Sequence, residues 1–509
     1  MARARSGEAF APTAVTVVLL AVYVMTLAPS VTYWDAGEFL AAIRTLGIPH
    51  PPGTPLYIIA GNVWARALGP LVGFARAVNV LSAISTAFAC GIATLLMQRW
   101  TGYPMEAAAG GILAGLMSSV WLNANETEVY APSLLVAMLL VLVAERARVA
   151  FERRWLVLLA YLCGLGWSLQ LSALVAAPAA FYLALFSASP PEDPGGQTAT
   201  RRIKSPTTLL SMAAVAIVGA SAVLFMLVRA KHDPAINQGN PASWQAFLDV
   251  LSRKQYQPAP ILPRQSPWFL QLGNLFEYAD WQIALGMAPE APPSWLRSPF
   301  TIAYAVLGAV GCMWHRRIHQ PSWRALMLLF FTATVGVVAY LNMKAGPSYG
   351  QGFLPPGAKH EARERDYFFS LAFVCWGIWA GAGAVRAASR MRAGAGVAGL
   401  GVAFLPMILN WSAVDRSAPP RALIPRDGAM AELVQAPRNA VIFAIGDNDT
   451  YPAWYVQQVE RVRPDVVIVT IPLLGAQWYR EELERRYELL PASYVRVWRG
   501  KGATLAAIC

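Results

Sequence analysis

Apolar runs long enough to cross a bilayer, which takes roughly 17–25 residues of helix, recur along the chain at 13–29, 78–97, 105–122 and 132–146. The stretch 155–186 is too long for one span and is broken near Gln170, so it reads as two short helices. Further runs follow at 207–229, 299–314, 322–341, 367–386 and 395–411, which predicts about eleven transmembrane helices. The polar connections between them are of two kinds. Short basic ones carry Arg99; Arg146, Arg148, Arg153 and Arg154; Arg201, Arg202 and Lys204; Arg316, Arg317 and Arg324; and Arg386, Arg390 and Arg392. The positive-inside rule assigns these to the cytoplasm together with the N-terminus. The long mixed loops 30–77, 123–131, 230–298 and 342–366, and everything from Ser412 onward, then lie on the extracytoplasmic side. An odd number of spans satisfies this arrangement, and the working face is outward.

Local patterns refine the outline. Residues 35–46 and 55–68 read as short helices lying at the interface, and 188–200 as a flexible cytoplasmic linker. Met1 to Arg5 is basic, but no small-residue cleavage site follows, so 13–29 is read as a retained helix rather than a removed signal peptide. From 436 the period changes: Ala440–Ile445 and Asp465–Thr470 are buried-strand runs, with helices at 452–461 and 476–487. Strand–helix–strand–helix indicates a small α/β module with a parallel strand pair. The expected division is 1–411, a membrane domain, and 412–509, an extracytoplasmic module whose tail at Cys509 reads as unfinished.

Composition agrees with the pattern. Of 509 residues 56% are hydrophobic and 14% charged, against roughly 25% charged in soluble domains, and the mean hydropathy is +0.42. The chain is read as an α-helical polytopic membrane protein, in the inner membrane of the cell. Its net charge of +12 resides mainly in short loops and is topology information, so no nucleic-acid partner is expected. The five cysteines form no disulfide framework and no metal-spaced cluster. Neither a catalytic metal nor a cofactor is expected.

The richest candidate chemistry follows the first apolar run. Tyr33-Trp34-Asp35-Ala36-Gly37-Glu38-Phe39 places two carboxylates three apart, on one face of a helix, where a span has just left the bilayer. A plainer reading makes Asp35 the cap of a short helix with Glu38 in its first turn. The stiff turn Pro49-His50-Pro51-Pro52-Gly53-Thr54-Pro55-Leu56-Tyr57 comes next. Outward carboxylates suit transfer from a lipid-linked donor, which needs a base for an acceptor hydroxyl and cations for a phosphate leaving group. Loop 342–366 offers Lys359, Arg363 and Arg365, followed by Asp366. Arginine binds phosphate bidentately, although Arg365 also fits an interfacial anchor. Arg253 and Tyr256, among interleaved tryptophans, are candidate substrate contacts, as are Glu126 and Glu128 at the outer end of a span, which equally fit solvated loop charges. Gly446-Asp447-Asn448-Asp449-Thr450-Tyr451 ends the first strand and reads either as a sugar or metal site or as a helix cap.

The blocks Trp34–Phe39 and His50–Tyr57, with Arg363–Phe369 and Gly446–Pro452 later, resemble a family of multi-spanning proteins whose eukaryotic member is the O-mannosyltransferase acting on IPT domains of plexins. The resemblance implies a GT-C glycosyltransferase bundle with its catalytic acid in the first outward loop. It also implies a polyprenyl-phosphate donor, with mannose the expected sugar, and inversion without a nucleotide-sugar site. Carried over, Asp35 matches the acid and Glu38 its companion. His50 and Tyr57 fall within the substrate region. Gln170 stands where bacterial relatives often carry His, and those relatives often extend further with helical repeats. The implied partners are a lipid-linked sugar donor, a secreted or membrane protein acceptor and membrane lipids. Two other readings remain: a transporter or flippase of lipid-linked sugars, which would want charged residues deep within spans, and a non-catalytic scaffold presenting the C-terminal module.

Overall fold

A computed structural model describes residues 8–150, 152–186, 205–289, 292–350, 354, 355, 357–392 and 394–509. The expected linker 188–200, the basic residues 201, 202 and 204 and the basic N-terminus lie outside the described residues.

Every expected span falls on helix. The first is α1 (Phe10–Met25), and the loop after it carries α2 (Ala36–Thr45) and α3 (Pro55–Val72). Then come α4 (Phe74–Thr101), α5 (Pro104–Leu116), α6 (Ser118–Ala124), α7 (Tyr130–Ala150), α8 (Arg153–Leu169) and α9 (Ala177–Phe186). The span at 105–122 is not straight: α5 and α6 meet at 70° across Met117. Gln170 breaks the 155–186 run with an extended backbone, φ −170° and ψ 143°. The remaining long helices are α10 (Pro206–Ala230), which contains a short 3-10 turn, α11 (Trp244–Leu251), α12 (Trp268–Ala284), α13 (Ser298–Ile318), α14 (Gln320–Leu341), α15 (Asp366–Met391) and α16 (Gly396–Val414). Among the described residues five helices are long and apolar enough to cross a bilayer alone, or six with the bent α5–α6 pair. The other expected spans rest on shorter or more polar helices, such as α1.

Lipid explains the distribution of apolar side chains. On α10, Leu210, Ile217, Val218 and Val228 are exposed, which is stable only where the surroundings are themselves apolar. The interior is held by small residues instead: a Cβ on Gly377 of α15 would stand 2.5 Å from Ala114 Cα of α5. Backbones approach this closely in membrane bundles because dispersion and close fit, rather than water exclusion, drive helix association there.

The C-terminal segment has α17 (Ile424–Gln435), β1 (Val441–Ala444), α18 (Asp447–Gln458), β2 (Val467–Thr470) and α19 (Gln477–Tyr487). β1 and β2 pair in parallel, Val441 opposite Val467 through Ala444 opposite Thr470. α18 begins five residues before the expected 452, because Gly446 supplies an extended turn and its N–H donates to Asp449 Oδ2 at 3.3 Å. This module is not an appendage. Phe39, Ile43, Tyr57 and Ile58 of the first loop share one apolar core with Leu433, Ala453, Tyr455 and Val456. The contact of α2 with α18 is so close that a Cβ on Gly37 would overlap the Tyr451 carbonyl and stand 2.9 Å from Pro452 N. Gly37→Ala is therefore expected to push the two helices apart at an overpacking cost of about 1–3 kcal/mol. A lowered melting temperature and faster protease cleavage after residue 424 would show it; an unchanged melt would mean the contact is dispensable.

Candidate active site

Asp35 occupies the N-cap position of α2, yet its side chain makes no capping bond. Oδ2 instead accepts from Arg363 Nη2 at 2.8 Å, and both side chains are nearly buried, at 11% and 12% exposure. The capping alternative is thereby set aside. Arg363 is held from three sides: its Nε donates to Tyr367 Oη at 2.9 Å, and its guanidinium lies 5.3 Å from the Trp34 ring centroid and 4.8 Å from that of Tyr367. Arg365 Nη1 donates to the same Tyr367 oxygen at 3.0 Å, and Nη2 reaches Glu361 at 3.4 Å. Two guanidiniums are thus fixed on one phenol beside one carboxylate.

Burial works to raise the Asp35 carboxyl, but Arg363 and His50 outweigh it and hold the group below its usual range. Asp35 is ionised at any physiological pH. Among the described residues only Oδ2 is engaged, so Oδ1 has no protein donor.

Glu38, completely buried, faces a different partner. Oε2 lies 2.5 Å from His50 Nδ1, Oε1 accepts from the His50 N–H at 2.8 Å, and Gln238 Nε2 donates to Oε1. The turn is delivered by backbone pairing: Ile48 N donates to Ile236 O at 2.7 Å, and Gln238 N to Ile48 O at 2.9 Å. Arg229 closes the end of α2 through Leu46 O at 2.8 Å and Thr45 O at 3.0 Å, satisfying carbonyls the helix leaves free. Burial lowers the His50 imidazole, but Glu38 more than compensates and raises it from 6.5 to about 9. A raised imidazole stabilises the fold fully below 6.5, and the contribution is lost as pH climbs through about 9. The melting temperature in detergent is expected to decline across that window and His50→Gln to flatten the decline. An equally steep decline in the variant would assign it to other groups.

The C-terminal module forms a wall of the same site. Trp34 adopts a left-handed backbone, φ 62°, and its N–H donates to Asn448 Oδ1 at 2.7 Å. A strained non-glycine residue needs such external support. Burial first, then Asp35, raises the neighbouring Asp447 carboxyl. Asp233 ties the module's far side through Arg485 Nη1 at 2.5 Å and Arg486 Nη2 at 2.6 Å.

The other expected site residues divide. Tyr57 is buried edge-on to Phe39 at 5.4 Å. Arg253 lines a groove with Pro52, Thr54, Pro55, Trp167 and Leu171, and the half-exposed Tyr256 feels the charges of Glu38, Asp35 and Asp447. Glu128 is buried, whereas Glu126 is paired with Arg416 at 3.2 Å. Asp366 accepts from Ser119 Oγ at 2.5 Å, a tie between α6 and α15. Lys359 is exposed and, among the described residues, makes no hydrogen bond or ion pair with the cluster. Gln238 was not anticipated, nor were the tie from Asn448 to Trp34 and the role of the Tyr367 hydroxyl in holding both arginines. Among the described residues no group of three or more His, Cys, Asp or Glu side chains is placed to hold a metal ion.

Comparisons with known proteins fit this geometry. Residues 35–192 match the Protein O-mannosyl-transferase TMEM260 N-terminal domain, and residues 425–492 match TMEM260-associated domain 2. The mouse Protein O-mannosyl-transferase TMEM260 is 32% identical over 169 residues, covering 32% of this chain and 23% of the relative. The Dictyostelium discoideum protein of the same name is 24% identical over 251 residues, covering 46% and 29%. The chain thus spans less than a third of the length of these curated relatives. Among solved structures, ArnT from Cupriavidus metallidurans bound to undecaprenyl phosphate aligns over 93% of this chain and 92% of its own, with TM-score 0.52 and 11% identity. Its apo state covers the same shares, with TM-score 0.53 and 12% identity. At that identity the likeness speaks for the fold, a helical GT-C membrane bundle. The two matched domains flank one shared site, and over those residues the chain is similar to the TMEM260 family.

Proposed function

We propose that this chain is a membrane glycosyltransferase that moves a sugar, mannose by its family, from a polyprenyl-phosphate donor to a protein Ser or Thr hydroxyl on the extracytoplasmic side. The basic connections favour a cytoplasmic N-terminus in the inner membrane. The observation that carries the reading is the buried Asp35–Arg363 pair with Arg365 on the same tyrosine: an ionised carboxylate with one open oxygen, next to two cations. In the reaction, Asp35 Oδ1 takes the proton of the acceptor hydroxyl as its oxygen bonds to the anomeric carbon. The bond from that carbon to the phosphate oxygen breaks, and its electron pair leaves on polyprenyl phosphate. Arg363 and Arg365 supply the charge that the departing phosphate needs, where a water-poor site makes such contacts strong. Attack opposite the leaving group inverts the anomeric centre. A phosphate that draws Arg363 toward itself also loosens its hold on Asp35, which raises the basicity of the carboxylate when the base is required.

The test is transfer by the purified chain from a short polyprenyl-phosphate mannose to a Ser/Thr-bearing acceptor polypeptide. Product with inverted stereochemistry supports the reading. Movement of labelled lipid-linked sugar across proteoliposomes without product would favour a flippase instead.

A further inference from the structure

The segments that build the site carry an unusual set of orphaned polar atoms. Thr32 Oγ1, Thr54 Oγ1 and Glu128 Oε2 are buried without a hydrogen-bond partner, and the buried Tyr57 hydroxyl lies against that of Ser82. Each such atom costs roughly 1–3 kcal/mol, and native proteins keep few of them. Orphaned atoms on the loops that carry Asp35, His50 and Glu128 fit an occupant rich in hydroxyls.

Glu128 is the one ionisable member of this set. It is 8% exposed, and the charges of Asp35, Arg363 and His50 all act on it. Tyr57, 1% exposed, feels Glu128 in turn. The position of Glu128 is rigid. On one side Thr127 Oγ1 donates to Asn79 Oδ1 at 2.6 Å, and Asn79 Nδ2 donates to Ala28 O at 2.8 Å. On the other, the Tyr130 ring packs 4.6 Å from that of Tyr367, the phenol that holds both arginines. Burial first, then Asp35, keeps the Glu128 carboxyl well above the usual range. In its protonated form the carboxyl both donates and accepts, as the Tyr57 phenol does. Neighbouring hydroxyls of a hexose present the complementary pattern.

We propose that Glu128 and Tyr57 form the subsite that grips the hydroxyls of the donor's hexose, next to the arginines that take its phosphate. This rests on the transferase reading above and names the part of that site which selects the sugar. Asp35 performs the proton transfer; Glu128 and Tyr57 position the ring that receives the attack.

The experiment uses the full chain with two lipids of equal length, polyprenyl phosphate with and without mannose, and measures direct binding as well as transfer. Glu128→Ala and Tyr57→Phe are each expected to weaken binding of the mannosylated lipid about tenfold, the worth of one good hydrogen bond, and to leave sugar-free polyprenyl phosphate unaffected. Glu128→Gln, which keeps a donor and an acceptor in the same shape, should retain more affinity than the alanine variant. Unchanged binding of the mannosylated lipid, or equal loss for both lipids, would overturn the proposal. If alanine at 128 destabilises the fold, Tyr57→Phe and Glu128→Gln carry the same comparison. Binding needs no turnover, so a wild-type chain that transfers nothing would defeat the transferase reading while the two-lipid comparison still decides the subsite.

Discussion

Asp35→Asn is expected to lower sugar transfer by about 10²–10⁴-fold, the usual contribution of a positioned general base. The substitution is nearly isosteric, and the Asn carbonyl oxygen can still accept from Arg363 Nη2, now at 2.8 Å from the carboxylate. Folding should survive, and a melt close to that of the wild type would establish that the loss is chemical. Polyprenyl-phosphate binding should persist as well, because Arg363 and Arg365 remain. Glu38→Gln is expected to do less damage. Glu38 is buried against His50 and Gln238 and shapes the turn rather than offering an open oxygen to an acceptor. Transfer at the wild-type rate by Asp35→Asn would remove Asp35 as the base, and a larger loss from Glu38→Gln than from Asp35→Asn would exchange their roles.

Arg363→Ala is expected to carry the largest stability cost of any single change at the site, about 3–5 kcal/mol, as when one member of a buried ion pair is deleted. It strands the Asp35 carboxylate and removes the guanidinium that lies between Trp34 and Tyr367. The sign for pH follows from the lowered Asp35 carboxyl. A depressed carboxyl stabilises the fold above its unfolded value, and that contribution fades as pH falls through the depressed one. Without Arg363 the carboxyl rises, so the acid limb of any residual activity should move to higher pH. Arg363→Lys keeps the charge but loses the fork that reaches Asp35 and Tyr367 together, and should fall between wild type and alanine. Thermal unfolding and the pH–rate profile measure the two effects separately. An alanine variant that melts like the wild type would show that the pair contributes little.

What the sequence disclosed was what local pattern can encode. Apolar run length places the expected spans on helix, though not α11 and α12 within the loop 230–298, and the polar break at Gln170 falls where the chain bends. The continuous apolar runs before Gly446 and after Asp465 give the parallel strand pair. Asp35 and Glu38 stood out because carboxylates beside a bilayer are costly. Which residues they pair with did not, for a physical reason. Arg363 is 328 residues from Asp35 and Gln238 is 200 from Glu38, and no periodicity links positions so far apart. The spacing of Asp35 and Glu38 on one helical turn suggested a cooperating pair, but packing turned one to an arginine and the other to a histidine. His50 had a legible signal, a lone imidazole in a proline-stiffened turn; Gln238 had none. Lys359 fitted the cation pattern by composition, yet its exposed position leaves the work to Arg363 and Arg365. The module boundary at 412 divides the sequence more cleanly than it divides the core, since Leu433 and Val456 pack with Phe39 and Tyr57.

The separation of Asp35 from Arg363 also has a meaning in time. A ribosome adds roughly 5–20 residues per second, so the carboxylate emerges tens of seconds before its counter-ion, and Asn448 follows later still. With the proposed topology the first loop would cross the membrane during synthesis with its carboxylates still unmatched and would have to keep them in water. Under the proposed function a nascent chain could not process a lipid donor, because the cations and the wall that complete the site have not yet been made. Order of manufacture would then act as a safeguard: a stalled or truncated product carries the Asp35 motif without the residues that pair with it.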